Sequence, residues 1–576
     1  MIGWARLSSQ AWEGSGYNLS ASELARGLAL SGHAVSYLAS GMTYYLLRRP
    51  RIRARERWGG VDCYEFINSP NLSPSAHNFR NVRTEVSCPR QTRLVMRWLE
   101  QVRAQVVHIH SLEGYALDLV RAIRDSGRPV VVTPHNYWFV CPQVDLLHRE
   151  ARVCEDYDGG RRCEGCLEAP RPRVLKFKRA VGDTLERWLG PYRADILRKA
   201  VYGVGPTLRA IRTGAAFRPW KPPALNPDSL DDPELALGFA AGIPPPPEGG
   251  VDAGGALDGP AVEPCAPDQN ARILGAPHHL TVLNDYGRRR VAGVEALNLA
   301  SLVISPSDFL RRVHVAMGVD SHRVRWVRLG QPHFDRINRR ARRSPYYDVS
   351  PWHPSTATRP LRFAYFGTTR PNKGLEVLVR AIPLIPAALR RQCQVIIRAL
   401  GDDAGVRRRL AGYPEVSVSG AYDLTQLVAA AGEYDVGILP HIWLENSPLV
   451  MLEHLHAGKF VIASRLGGPP DWIYPPRNGL LFTAGRSEEL ARCMARVLAG
   501  EVVLPSPREV HEATALQSYP AHVREVESIY YEVLSRPEPV GQEPEARGGA
   551  LASAATDGWT AGSAVAAAPS GRRVGG

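Results

Sequence analysis

Residues 438–473 read ILPHIWLENSPLVMLEHLHAGKFVIASRLGGPPDWI, and the two glutamates in this stretch, Glu445 and Glu453, lie one on each side of a helix start. Ser447 is an N-cap residue type, and Pro448 after it costs nothing at a first helical position, where the N–H has no partner anyway. The helix should run to Gly458, which ends it, and be followed by the strand KFVIAS and a turn at Gly467-Gly468. The backbone N–H groups of Leu449 and Val450 would then point out of a positive helix end, a ready place for a diphosphate. Glu445 falls just before that end and Glu453 further along the helix, so two carboxylates would flank one anion site, placed to accept hydrogen bonds from hydroxyl groups. The plainer reading is an amphipathic helix with Leu449, Leu452 and Leu455 inward and its glutamates solvated.

At 576 residues the chain is too long for one core, and two large domains are expected. No run of about 18 apolar residues suggests a membrane span, and MIGWARLSSQ lacks the basic start and apolar stretch of a secretory signal. These observations point to a cytoplasmic chain, soluble or peripheral at the inner membrane face. The net charge is +14 and the pI about 9.5, mostly through arginine. Without zinc-finger spacing, an RNP-like aromatic motif or a helix-turn-helix, nucleic acid is not an expected partner. The stretch RPRVLKFKRA at 171–180, continued by Arg187, Arg193, Arg198 and Lys199, alternates basic and apolar residues along a helix. Such a segment, 171–199, can lie on an anionic membrane surface, or can be a solvated basic face.

Strand-like and helix-like segments alternate from the start: IGWARL, a helix from about Asn18 to Leu30, HAVSYLAS, VVHIHS at 106–111, a helical 115–125, PVVVTPH at 129–135, and SLVISPSDFLRRVHVAMGV at 301–319. They predict one doubly wound α/β domain over 1–340 with a mainly parallel sheet. Within it, about 213–277 dissolves into proline, glycine and alanine and reads as a disordered insertion. Arg336 to Arg343 and the residues to about 360 read as a linker, with 341–360 its core. A second α/β series, 361–510, opens with LRFAYFG, a helix follows within 511–535, and 536–576 reads as a disordered tail.

Three further constellations carry chemistry. LRFAYF leads into Gly367-Thr-Thr-Arg-Pro-Asn-Lys373-Gly374, a glycine turn with lysine at a helix start, which suits phosphate but lacks the ending of a Walker loop. His135 closes the strand VVVTP, where open α/β sheets place ligands, and His108 and His110 end another strand on one shared face. Cys141, Cys154, Cys163 and Cys166 gather in a polar loop ending Cys-Glu-Gly-Cys. They are either a structural zinc site or two unrelated pairs of buried thiols. Asp156-Tyr157-Asp158 in the same loop imitates a metal-binding Asp-x-Asp.

From ILPHIWLENSPLVMLEHLHAGKFVIASRLGGPPDWI to RNGLLFTAG, the chain resembles the nucleotide-sugar half of the retaining glycosyltransferase family 4. Glu13-Gly14-Ser15-Gly16 resembles that family's glycine-rich first loop, with GHAV of the next strand in register. The resemblance implies a GT-B fold, two Rossmann-like domains facing across a cleft, with the acceptor on the first and the donor on the second. It implies transfer from a nucleotide-diphosphate sugar to a glycan or lipid-linked acceptor with retention and no catalytic cofactor, which makes the Asp-x-Asp a coincidence. Glu445 would hold donor-sugar hydroxyls, Glu453 the ribose, and Lys373 the diphosphate together with Ser447, Leu449 and Val450. Gly14 and Gly16 would clear the approach path, and His135 would lie at the reacting centre. Thr368 stands where the family usually has arginine, leaving Arg370 to reach in from two positions later. A catalytically degenerate sugar-nucleotide binder and a GT-B epimerase are the alternative readings.

Overall fold

Val, Ile and Leu dominate the short runs that become strands, and they form two separate parallel sheets in a computed structural model. It describes residues 1–7, 16–149, 152–202, 269–276, 281–401, 403–420 and 424–536. All belong to one compact unit, Met1–Val540. The first sheet contains β1 (Ile2–Gly3), β2 (Ser36–Ser40), β3 (Arg51–Ala54), β4 (Asp62–Ile67), β5 (Val107–Ile109) and β6 (Val130–Val132). A small antiparallel hairpin, β7 (Leu147–His148) and β8 (Arg152–Val153), stands apart, and β9 (Leu302–Ser305) and β10 (Val324–Trp326) complete the first sheet. Its order is β10-β9-β6-β5-β1-β2-β4-β3, parallel throughout except for β3 against β4.

The second sheet is built from β11 (Leu361–Thr368), β12 (Cys393–Leu400), β13 (Val416–Ser419), β14 (Val436–Leu439), β15 (Phe460–Ser464) and β16 (Gly479–Phe482). Its order is β13-β12-β11-β14-β15-β16, and every pairing is parallel. Among their parallel strands both sheets reverse strand order once, between β1 and β5 in the first and between β11 and β14 in the second. Ligands of open α/β sheets bind at such a switch point, outside the carboxyl ends of the strands. The last helix, Tyr519–Ser535, returns to the first domain, where Tyr519, Val523, Val526 and Ile529 bury against Leu24, Leu28 and Tyr37.

Two segments differ from their sequence reading. Gln269–Gly275, inside the stretch expected to be disordered, is helical, because Ile273 is fully buried in the first domain's core and Asn270 is 2% exposed. Residues 203–268, which hold the rest of that expectation, and 537–576, which hold the expected tail, lie outside the described residues. Arg336 to Arg342 are not linker but the end of a helix, Pro332–Arg342, anchored by buried His333, Phe334 and Ile337. Beyond it Tyr347 and Trp352 are buried too, so the connection is packed against the second domain.

Candidate active site

Lys373 and Glu445 meet at the switch point of the second sheet, on the loops that follow β11 and β14. Gly374 (φ +71) lets those loops touch: a Cβ there would sit 1.7 Å from the Pro440 carbonyl oxygen. Ile442 N–H donates to the Asn372 carbonyl at 3.0 Å and locks the contact. Lys373 is thereby held against Glu445, its Nζ donating to Oε1 and standing 5.1 Å from the Trp443 ring centre. Glu445 is 7% exposed. Burial alone would raise its pKa, but the charge and hydrogen bond of Lys373 outweigh it and hold the carboxyl below its usual value.

Glycine fixes the other side of Glu445. The turn at Gly467 (φ +77) and Gly468 lies backbone to backbone on Glu445 and Asn446, where added Cβ atoms would meet carbonyl oxygens at 2.2 and 1.7 Å. Gly468 N–H donates to the Glu445 carbonyl at 2.6 Å.

The helix after Glu445 starts one residue later than the sequence suggests. It spans Leu449–His456, with Met451 N–H and Leu452 N–H both donating to the Pro448 carbonyl. Pro448 therefore occupies the N-cap, and Ser447 is not the cap. Its Oγ and Oδ1 of Asn446 are buried and have no hydrogen-bond partner among the described residues. The N–H groups of Leu449 and Val450 donate to no backbone acceptor among the described residues. Two N–H groups left free at this helix end, four and five residues after a glutamate that holds a lysine, are an arrangement able to receive an anion.

Glu453 sits deeper, 6% exposed, and its Oε1 meets His333 Nε2 at 3.0 Å, while Oε2 takes no hydrogen bond from the described residues. Thr368 does not reach this helix end as a cation would: its Oγ1 accepts from Arg370 N–H at 3.3 Å, and the Arg370 side chain is exposed with no ion pair among the described residues.

The first domain closes on this arrangement. Asn446 Nδ2 donates to the His135 carbonyl at 2.8 Å, and Tyr137 OH donates to the Leu444 carbonyl at 3.0 Å. Gly16 begins the first helix, Gly16–Leu30, close over Leu449, where a Cβ would lie 3.2 Å from Leu449 Cδ1. Gly14 lies outside the described residues. The His135 ring faces the Tyr17 ring edge at 5.1 Å between centres, and its Nε2 stands 3.1 Å from His110 Nδ1. Burial, helped by the charge of His522, drops the His135 pKa to about 3. His108 is not exposed to the cleft; it bonds Tyr530 OH at 2.6 Å and Thr133 Oγ1 at 2.7 Å.

Sequence reasoning did not find Asn446, His333 or Asn270. Asn270 Nδ2 donates to the Gly467 carbonyl at 2.8 Å, and its Oδ1 accepts from Gly467 N–H at 2.7 Å, across 197 residues of chain. Gln269 Oε1 also accepts from Ala484 N–H at 2.9 Å. Only the buried pattern of Ile273 in QNARIL could have marked that helix.

None of the four cysteines of the polar loop is in a disulfide, and Cys166 Sγ donates to Gln143 Oε1 at 3.1 Å. Burial raises the pKa of Cys141, Cys154 and Cys163, and each is raised further by neighbouring thiols of the set. Among the described residues no three His, Cys, Asp or Glu side chains form a group that could hold a metal ion. The zinc expectation thus gains no ligand geometry. Asp156 serves a local turn, its Oδ1 accepting from Asp158 N–H at 2.8 Å.

Two family models match the chain, the glycosyl transferase 4-like domain over residues 15–190 and glycosyl transferases group 1 over residues 360–500. Between them they take in more than half of it. The chain belongs to the group 1 glycosyltransferases. Its two doubly wound domains are the GT-B arrangement. A curated relative, a phosphatidyl-myo-inositol mannosyltransferase of Mycobacterium leprae (strain TN), is 30% identical over 134 residues, which are 23% of this chain. The match spans 36% of that relative's length. Among solved structures, sucrose-phosphate synthase from Thermosynechococcus elongatus is similar at 15% identity, TM-score 0.48, over 92% of this chain and 98% of that one. The catalytic domain of starch synthase IV from Arabidopsis thaliana, bound to ADP and acarbose, is similar at 11% identity, TM-score 0.47, over 93% and 99%. At these scores the likenesses identify neither a donor nor an acceptor for this chain.

Proposed function

We propose that this glycosyltransferase moves a sugar from a nucleoside-diphosphate donor to a glycan or lipid-linked acceptor with retention of configuration. The observation that carries the reading is the Lys373–Glu445 pair at the switch point, followed in the chain by the Leu449 and Val450 N–H groups, which find no acceptor among the described residues. A diphosphate there would draw Lys373 away from Glu445. The freed carboxylate would then accept hydrogen bonds from donor-sugar hydroxyls. Glu453, oriented by His333, keeps Oε2 for a ribose hydroxyl. His135, neutral at working pH, would hydrogen-bond an oxygen at the reacting centre without acting as a strong base. Retention and the absence of a catalytic cofactor rest on the family resemblance. So does the leaving diphosphate's part in deprotonating the acceptor.

A second reading, a sugar-nucleotide binder without transfer, is favoured by one observation: the site holds a single lysine, because Thr368 takes the place of the family arginine and Arg370 points to solvent. One experiment separates the two. A panel of sugar nucleotides is screened by thermal shift, since a ligand that binds the folded chain alone raises its stability. The stabilising donor is then assayed for transfer and hydrolysis with wild type, Lys373→Ala and Glu445→Gln. Transfer by wild type, reduced on the order of a hundredfold or more in Lys373→Ala, is expected from loss of charge stabilisation at the leaving group. Unchanged kinetics in Lys373→Ala would place the diphosphate elsewhere, and donor binding with neither transfer nor hydrolysis would favour the binder.

A further inference from the structure

The helix Pro172–Tyr202, which is interrupted at Gly190 (φ +76), is turned inside out over its first part. The side that faces the protein is mainly polar, with only Ala180 and part of Leu175 packed on Tyr44 and Leu72. Lys176 Nζ donates to the Pro70 carbonyl, Arg179 donates to the Gly41 and Ser73 carbonyls at 2.7 and 2.8 Å, and Asp183 Oδ2 accepts from Tyr44 N–H at 2.9 Å. The side that faces outward is apolar. Exposed Val174, Phe177 and Trp188 and half-buried Val181 and Leu185 recur at helical spacing along one stripe, about 21 Å long at 1.5 Å per residue. Phe177 is 63% exposed and Trp188 78%. A helix packed on a domain normally buries its apolar stripe, so this one is arranged for a different neighbour.

A loop extends the same surface. Leu46 N–H donates to Thr184 Oγ1 at 3.1 Å, and the Arg187 guanidinium lies 5.7 Å from the Tyr45 ring centre, so residues 44–49 ride on the helix next to Trp188. Leu46 and Leu47 at the tip are both exposed, and Leu47 stands fully out of the protein on a left-handed backbone (φ +56) that leucine seldom adopts. Cations border the apolar stripe. Arg171, Arg173 and Lys178 on the helix and Arg48, Arg49 and Arg51 on and after the loop are all exposed. The acids nearby are fewer: Glu168 and Glu186 are exposed, and Asp183 is turned inward to Tyr44.

We infer that this face, the outward stripe of residues 174–188 with the Leu46–Leu47 tip, docks the enzyme on an anionic lipid bilayer. A helix lying in the interface sinks its aromatic and aliphatic side chains below the headgroups, and arginine and lysine along its borders meet the lipid phosphates. Both halves of that pattern are present here, on a helix whose polar side is already occupied by the protein. A partner protein would be expected to offer acids to so many cations in fixed geometry; a leaflet rich in anionic headgroups needs only a charged plane. The inference does not depend on the donor site, since it concerns a surface of the first domain and can be read without turnover.

The full chain is sedimented with vesicles of phosphatidylcholine, with and without phosphatidylglycerol, alongside the variants Phe177→Ser/Trp188→Ser, Leu46→Ser/Leu47→Ser and Arg173→Glu/Lys178→Glu. Wild type should pellet with the anionic vesicles and much less with the neutral ones. Each variant should lose on the order of tenfold or more in partitioning, with its thermal unfolding midpoint unchanged, since the altered side chains are exposed. Three results would overturn the inference. One is wild type left in the supernatant. Another is variants that pellet as well as wild type. The third is a wild-type dimer in light scattering that the Phe177→Ser/Trp188→Ser change splits, which would assign the stripe to a second copy of the chain.

Discussion

His110 decides what His135 can do. Their facing nitrogens, 3.1 Å apart, share one proton, because burial lowers both pKa values far below the ordinary histidine value. His110 Nε2 is buried without a partner among the described residues. If His110 donated from Nδ1, that Nε2 would be a bare lone pair; if His135 donated, it would be an N–H with no acceptor, the costlier orphan. His110 is therefore the donor, and His135 carries its proton on Nδ1. His110→Asn, which can still donate from a similar position, should keep kcat near wild type. His110→Asp, which only accepts, should lower kcat on the order of tenfold or more with little change in donor KM. Equal rates for the two in a steady-state assay would remove His110 from the mechanism.

Helix Gln269–Gly275 matters through a turn it never joins in sequence. Asn270 takes up both the N–H and the carbonyl of Gly467, and that turn carries Glu445 on its other side. Asn270→Ala would strand two buried backbone groups at a cost on the order of 1–3 kcal/mol each. The expected result is a lower unfolding midpoint and weaker donor binding by isothermal titration; unchanged donor affinity would show that the clasp does not position the site. Gly468→Ala tests the same turn from within. Its Cβ would overlap the Asn446 carbonyl oxygen, so Glu445 must shift, and donor affinity should fall further than in Asn270→Ala. Donor titrations of the two variants side by side check that order.

Among the described residues, burial keeps eight histidines neutral: His108, His110, His135, His314, His454, His456, His511 and His522 all have pKa values far below the ordinary one. The unfolded chain takes up these protons as pH falls below about 6.5, and the folded chain does not. Stability is therefore fully present above that pH and lost as pH falls towards 4, by up to about 1.4 kcal/mol per pH unit for each proton. Asp335, Asp471 and Glu23, with pKa values raised by burial to about 7, 6 and 6, act in the opposite sense, as do Glu113, Asp183, Glu295 and Glu525, also raised by burial, but these seven are fewer. The unfolding midpoint in thermal scans should drop steadily from about pH 7 to pH 5. A midpoint constant over that interval would mean that the histidines are not held neutral.

Both doubly wound domains were legible because a parallel strand buried on two faces must be written almost wholly in Val, Ile and Leu. The alternation of such runs with amphipathic helices has few other solutions. Lys373, Glu445 and Gly467-Gly468 were legible for a related reason: a glycine turn and a helix start are local devices, and the residues that use them are neighbours in sequence. What lies across the cleft had no such signal. Ser447 looked like a cap because capping is judged from side-chain type, whereas the Pro448 carbonyl, taken by two N–H groups, set the helix start. His333 on Glu453, Asn446 on the His135 carbonyl and Asn270 on Gly467 come together from positions 120, 311 and 197 residues apart. The sequence alone determined which strands and turns would form and that a lysine and a glutamate would follow neighbouring strands. Only the packing of one domain on the other decided which side chains surround them, because buried polar groups must find partners wherever the fold brings them.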